Sequence, residues 1–90
     1  MEVTQAITHG LAAKIPADIH IGITGLTAPG GSETPEKPVG TMFIYATTQH
    51  EAIFAERCWF SGSREEIVAS TIKRLTALLN GFLNTLHKLN

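Results

Sequence analysis

An α/β fold, or its α+β variant, is the class this sequence predicts, and three observations carry it. Ile19, Ile21 and Ile23 recur at every second position, the period of a strand with one face in a core. Two further alternating runs, 39–48 and 52–60, follow on either side of the polar pair Gln49-His50 and form a hairpin pattern. Segments with apolar residues spaced by three and four, the period of a helix, flank these strands at both ends of the chain. The expected order is helix, strand, glycine-rich loop, β-hairpin and long C-terminal helix, with the helices on a small mixed sheet. Residues 1–90 are expected to form one domain.

Val3, Ile7, Leu11 and Ile15, with Ala6 and Ala12 beside them, predict a first helix over Glu2 to Lys14 with that stripe turned to the core, and Pro16 ends it. Gly10 within it costs about 1 kcal/mol relative to Ala unless a neighbour packs closely there. In the first strand, Gly22 and Thr24 occupy the face opposite the isoleucines and leave room for a close neighbour. The strand ends at Gly25. Between there and Gly40 stand Pro29, Gly30, Gly31, Pro35 and Pro38, too many breakers for regular structure to continue. A loop of more than about 12 residues is usually functional or disordered, and its glycines let main-chain N–H groups meet anionic oxygens. The established phosphate signatures, G-x-x-x-x-G-K-[ST] and G-x-G-x-x-G, are both absent.

Both faces of the second strand are largely apolar, as in a sheet covered on both sides. In the third, Glu56 and Arg57 suggest a position near an exposed edge. Ser63-Arg64-Glu65-Glu66 has the form of a capping box and predicts a helix start. Val68, Thr71 or Ile72, Leu75, Leu78 or Leu79, Phe82, Leu86 and Leu89 then mark its apolar stripe. Glu65 and Glu66 at one end and His87-Lys88 at the other agree with the helix dipole.

The chain is 43% apolar and 17% charged with a formal net charge of −1, a composition of ordinary globular proteins that offers no basic field for nucleic acid. One cysteine, Cys58, excludes an internal disulfide and fits a reducing compartment; with no span of about 20 apolar residues and no signal-peptide start, the expected location is the cytoplasm and not a membrane. His9, His20, His50 and His87 fall on different expected elements without metal-ligand spacing, so neither a metal nor a cofactor is expected. Cys58, beside Trp59 in mid-strand, reads as a small packed residue. Lys37, between Glu36 and Pro38, reads as a solvated loop charge rather than a base.

Three ordered blocks go further: Ile23-Thr24-Gly25-Leu26 with Pro29-Gly30-Gly31, then Glu36-Lys37-Pro38-Val39-Gly40-Thr41, then Phe60-Ser61-Gly62-Ser63-Arg64-Glu65-Glu66-Ile67. Together they resemble the C-terminal domain family of the competence-damage protein CinA, which includes nicotinamide-nucleotide amidases that convert nicotinamide mononucleotide to nicotinic acid mononucleotide and ammonia. The resemblance covers nearly the whole chain but only about the second half of the family domain. A Glu-Ser-Cys-Thr-Gly-Gly-like block and a Tyr/Lys segment that the family carries further ahead have no counterpart in these residues. Locally, Thr27-Ala28-Pro29 stands where the family usually has Ala-Gly-Pro, and Ser63 where Asp is common. The exchange at Ala28 matters if that position needs a positive φ.

The resemblance implies that Thr24 hydrogen-bonds in the pocket or helps to hold the oxyanion, and that Arg64 orients or tunes the base. It makes Gly25, Gly30 and Gly31 the expected ligand-binding positions. The ligand it implies is nicotinamide mononucleotide. Because the family's serine and lysine/tyrosine pair are missing from these residues, the 90-residue chain is expected to be inactive alone. The alternative is a non-catalytic nucleotide-binding or assembly module. Either way, the extent of the apolar faces leads us to expect a homodimer or higher homo-oligomer.

Overall fold

The computed structural model describes residues 1–14, 19–31, 33–48 and 51–89, with side chains described except at 10–14 and 86–89. Its elements are α1 (Glu2–Lys14), β1 (His20–Gly25), β2 (Thr41–Thr47), β3 (Ala52–Trp59) and α2 (Arg64–Leu89). The expectations at Ile15, Pro16 and the hairpin turn 49–50, and for the side chains of Leu86, His87, Lys88 and Leu89, lie outside the described residues. So does any neighbour of Gly10.

Helices and strands thus follow the expected order, but the sheet is not mixed. Its order is β1-β2-β3 and both pairings are antiparallel, because the long loop and the hairpin each return the chain against its own direction. This is the α+β variant of the class. β2 is central and carries the core residues Met42, Ile44, Tyr45 and Ala46. β3, with its two charges, lies on an edge as expected.

Alternation of side chains gives the sheet two faces. Register sets Thr24 opposite Phe43 and Phe43 opposite Arg57, while Ile23, Ile44 and Glu56 align on the other face. α1 packs on the first of these faces, through Thr4 and Thr24. On the second, α2 is tied by Arg74, which donates from Nε and Nη2 to the Glu56 carboxylate. That hydrogen bond holds the Glu56 carboxyl below its ordinary value against the opposing effect of its own desolvation.

The face that α1 turns inward is not the expected one. Thr4 and Thr8 are fully buried, whereas Val3 is 67% and Ile7 56% exposed. The cause is Gly22: a Cβ there would lie 1.8 Å from Thr8 Oγ1 and 3.1 Å from the Thr4 carbonyl oxygen. A strand position without a side chain draws the helix in so closely that only short side chains fit beneath it. The buried hydroxyls are then satisfied internally, Thr8 Oγ1 donating to the Thr4 carbonyl at 2.7 Å and Thr4 Oγ1 sharing a hydrogen with Thr24 Oγ1 at 2.6 Å.

A smaller shift of the same kind occurs in α2. Its buried face begins at Ile67, one residue before the expected Val68, and continues at Thr71, one of the two expected alternatives, leaving Val68 and Ile72 exposed. The capping box does form: Ser63 N–H donates to Glu66 Oε1 at 2.9 Å and Glu66 N–H to Ser63 Oγ at 3.2 Å. Those contacts hold the Glu66 carboxyl low. Serine thus serves as the cap.

Candidate functional site

β1 ends, β2 begins and β3 ends at one end of the sheet, so the glycine-rich loop and the start of α2 both emerge there. Beside α1 at that end lies a cleft of about 280 Å³. Half-buried Thr24 brings a hydroxyl to it with fully buried Thr4 beneath, Gly25 brings main chain, and Val3, Leu26 and Phe43 form apolar walls. Lys37 brings a charged side chain. This volume is close to the lower bound, about 300 Å³, of small-molecule pockets.

Thr24 is therefore a cleft residue, held by Thr4. Two hydroxyls carry two hydrogens and their mutual bond uses one; with the fully buried Thr4 as its donor, Thr24 keeps its own O–H for a ligand oxygen. Thr4 is a partner that apolar periodicity concealed; the signal was a pair of threonines four residues apart, Thr4 and Thr8, facing Gly22 and Thr24 two residues apart. Gly25 lines the same cleft, and a Cβ on it would meet Met42 Sδ at 2.0 Å and the Thr41 carbonyl at 2.8 Å.

Gly30 and Gly31 are not among the residues that line it. Their N–H groups donate to the two carboxylate oxygens of Glu33, at 3.0 Å each. The Gly30 N–H in particular, with those of Glu33 and Gly31, holds the Glu33 carboxyl below its usual value. The expected anion-binding donors exist, and a carboxylate of the same loop occupies them. Gly30 has φ +92°, which requires glycine, but Ala28 has no positive φ, so the departure from the family pattern at that position is unstrained.

Arg64 stands exposed at the first position of α2, and it does not line the cleft. Cys58 donates from Sγ to Glu56 Oε2 at 3.2 Å, and burial, followed by that carboxylate, pushes its pKa up to about 11. The thiol stays protonated at neutral pH and is a poor nucleophile. Among the described residues no three His, Cys, Asp or Glu side chains gather to hold a metal, and no helix is long and apolar enough to cross a membrane.

A model of the CinA C-terminal domain matches residues 1–83. The chain belongs to the CinA C-terminal domain family. Among its CinA relatives, a CinA-like protein of Desulfotalea psychrophila is 38% identical over 82 residues, 91% of this chain and 19% of that protein. The nicotinamide-nucleotide amidohydrolase PncC of Pseudomonas putida is 34% identical over 82 residues, 91% of this chain and 48% of that protein. A crystal structure of a CinA superfamily protein from Klebsiella pneumoniae superposes with a TM-score of 0.76 at 27% identity, covering 90% of this chain and 50% of that one. This CinA-family chain therefore spans no more than about half the length of these relatives.

Proposed function

We propose that this chain carries the nucleotide-binding wall of a CinA-type amidohydrolase, takes nicotinamide mononucleotide in the Thr24 cleft, and does not hydrolyse it alone. The observation that supports this reading is the position of Thr24, the residue matched to the family site, at a cleft with apolar walls and a spare hydroxyl donor. Its O–H suits a carboxamide oxygen and the walls suit a pyridine ring. Amide hydrolysis also needs an activated nucleophile and a group to take its proton. The described cleft residues include no carboxylate, histidine or cysteine, and among the described residues neither amine at the cleft, that of Met1 or of Lys37, hydrogen-bonds to the threonine pair. Arg64, in this reading, serves the opposite wall of a complete site.

Ammonia release from nicotinamide mononucleotide by the purified 90-residue chain tests the second half of the proposal. Background rates are expected. Turnover that disappears in Thr24→Ala or Arg64→Ala would overturn the inactive reading.

A second reading, assembly, is favoured by the apolar surface: Val3 and Ile7 on α1 and Ile72 and Leu83 on α2 are all more than half exposed. Burying one such side chain contributes roughly 1.5–3 kcal/mol, which makes self-association as a homodimer or larger homo-oligomer the simplest way to cover them. Light scattering is expected to give a multiple of the monomer mass at micromolar concentration, reduced by Ile72→Lys with Leu83→Lys. A folded species of monomer mass would contradict assembly.

A further inference from the structure

We propose that Lys37 is the phosphate-binding cation of the Thr24 cleft, so that a nucleoside monophosphate lies with its base against Val3, Leu26 and Phe43 and its phosphate at the Lys37 ammonium. This deepens the mononucleotide reading given above and rests on it for the nature of the ligand.

Three observations lead there. First, the loop's obvious anion donors are taken, since the N–H groups of Gly30 and Gly31 both serve the Glu33 carboxylate. A phosphate at that place would have to expel a negative charge that lies only two or three residues away in the chain. Second, two residues that line the cleft carry a cation, Met1 through its α-ammonium and Lys37 through its side chain; Lys37 is the one carried by the loop, and among the described residues no ion pair engages it. Third, the backbone that carries it is fastened on both sides by β3. An Arg57 Nη2 N–H donates to the Glu36 carbonyl and Trp59 Nε1 donates to the Val39 carbonyl at 3.0 Å. Within the loop, Lys37 and Thr34 exchange backbone hydrogen bonds of 3.0 Å in both directions. A lysine on a free loop loses much of its attraction to the entropy of ordering the chain; here that part of the ordering is complete before a ligand arrives. Trp59, 59% exposed, is thus tied through its indole N–H to the carbonyl two residues beyond Lys37.

The test compares nicotinamide mononucleotide, nicotinamide riboside and phenyl phosphate by NMR titration of the 90-residue chain. The wild type is expected to bind the mononucleotide about tenfold more tightly than the riboside, as a charge-assisted contact to phosphate implies. Lys37→Gln should erase that preference with riboside affinity unchanged, and Lys37→Arg should keep it. Glu33→Ala, which frees the two glycine N–H groups, should not raise the preference. An amide spectrum unchanged beyond the loop would confirm that Lys37→Gln is folded. Retention of the preference in Lys37→Gln, or its increase in Glu33→Ala, would overturn the assignment and leave the mononucleotide reading intact. Phenyl phosphate separates the two claims in the other direction: its binding in a Lys37-dependent way, without any mononucleotide binding, supports the anion site and removes the nucleotide. Failure of both probes to bind the wild type overturns the Lys37 site.

Discussion

Gly40→Ala is expected to cost about 2–4 kcal/mol, a large part of the stability of a chain this size. Gly40 has φ +98°, a left-handed conformation that L side chains rarely adopt, and an added Cβ would lie 1.9 Å from the Phe60 carbonyl oxygen. That neighbour is backbone and has no rotamer to yield. The position also joins three segments at the site end of the sheet: its N–H donates to the Leu26 carbonyl at 2.6 Å, and its carbonyl accepts from Phe60 N–H at 3.0 Å. Displacing it loosens both limbs of the loop together with the exit of β3. Denaturant unfolding provides the measurement. A loss below about 0.5 kcal/mol, the size of an ordinary surface change, would contradict the geometry.

Gly22→Val ranks beside it, with an expected loss of about 3 kcal/mol. The first added carbon alone would lie 1.8 Å from Thr8 Oγ1 and 3.2 Å from Thr8 Cβ, so α1 must move off the sheet as a body. Valine is the better strand former, and an isolated strand would gain from the exchange. The loss should therefore be read as helix packing. It should also separate Thr4 from Thr24 and weaken ligand binding at the cleft. Stability equal to the wild type, with the Thr24 amide still responsive to mononucleotide, would show that the close approach of α1 is not what holds the cleft wall.

These two glycines show how far a linear reading reaches. The extent of α1, the capping box at Ser63 and Glu66, and the edge position of β3 were legible, because each depends on neighbours within a few residues or on charge in a strand. The inward face of α1 was not. Val3 and Ile7 make the stronger apolar stripe, but which stripe packs is decided by what the sheet presents, and Gly22 presents a gap that suits threonine. A one-residue offset at Ile67 in α2 has a similar origin: the stripe is broad, and only the docking against β3 selects its buried side.

The site was legible in part for the same reason. Thr24 and Gly25, which only the resemblance singled out, both line the cleft. Gly30 and Gly31 have the donors expected of them, but Glu33 follows so soon that its carboxylate returns to both. Lys37 read as a solvated charge because it stands between Glu36 and Pro38 in a loop. The cleft reaches it only because the loop turns back at Thr34 and β3 side chains clasp the flanking carbonyls of Glu36 and Val39. Such contacts, about 20 residues apart in the chain, leave no periodic trace.

The claim on which the rest depends is that the Thr24 cleft receives the nucleotide. An amide-resolved titration with nicotinamide mononucleotide tests it most directly. The account predicts that Thr24, Gly25, Leu26 and Lys37 shift together and saturate with one affinity, while Thr48 and Glu51 at the far end of the hairpin stay still. Silence of the four cleft amides at millimolar ligand, or shifts confined to Gly30 and Gly31, would contradict it.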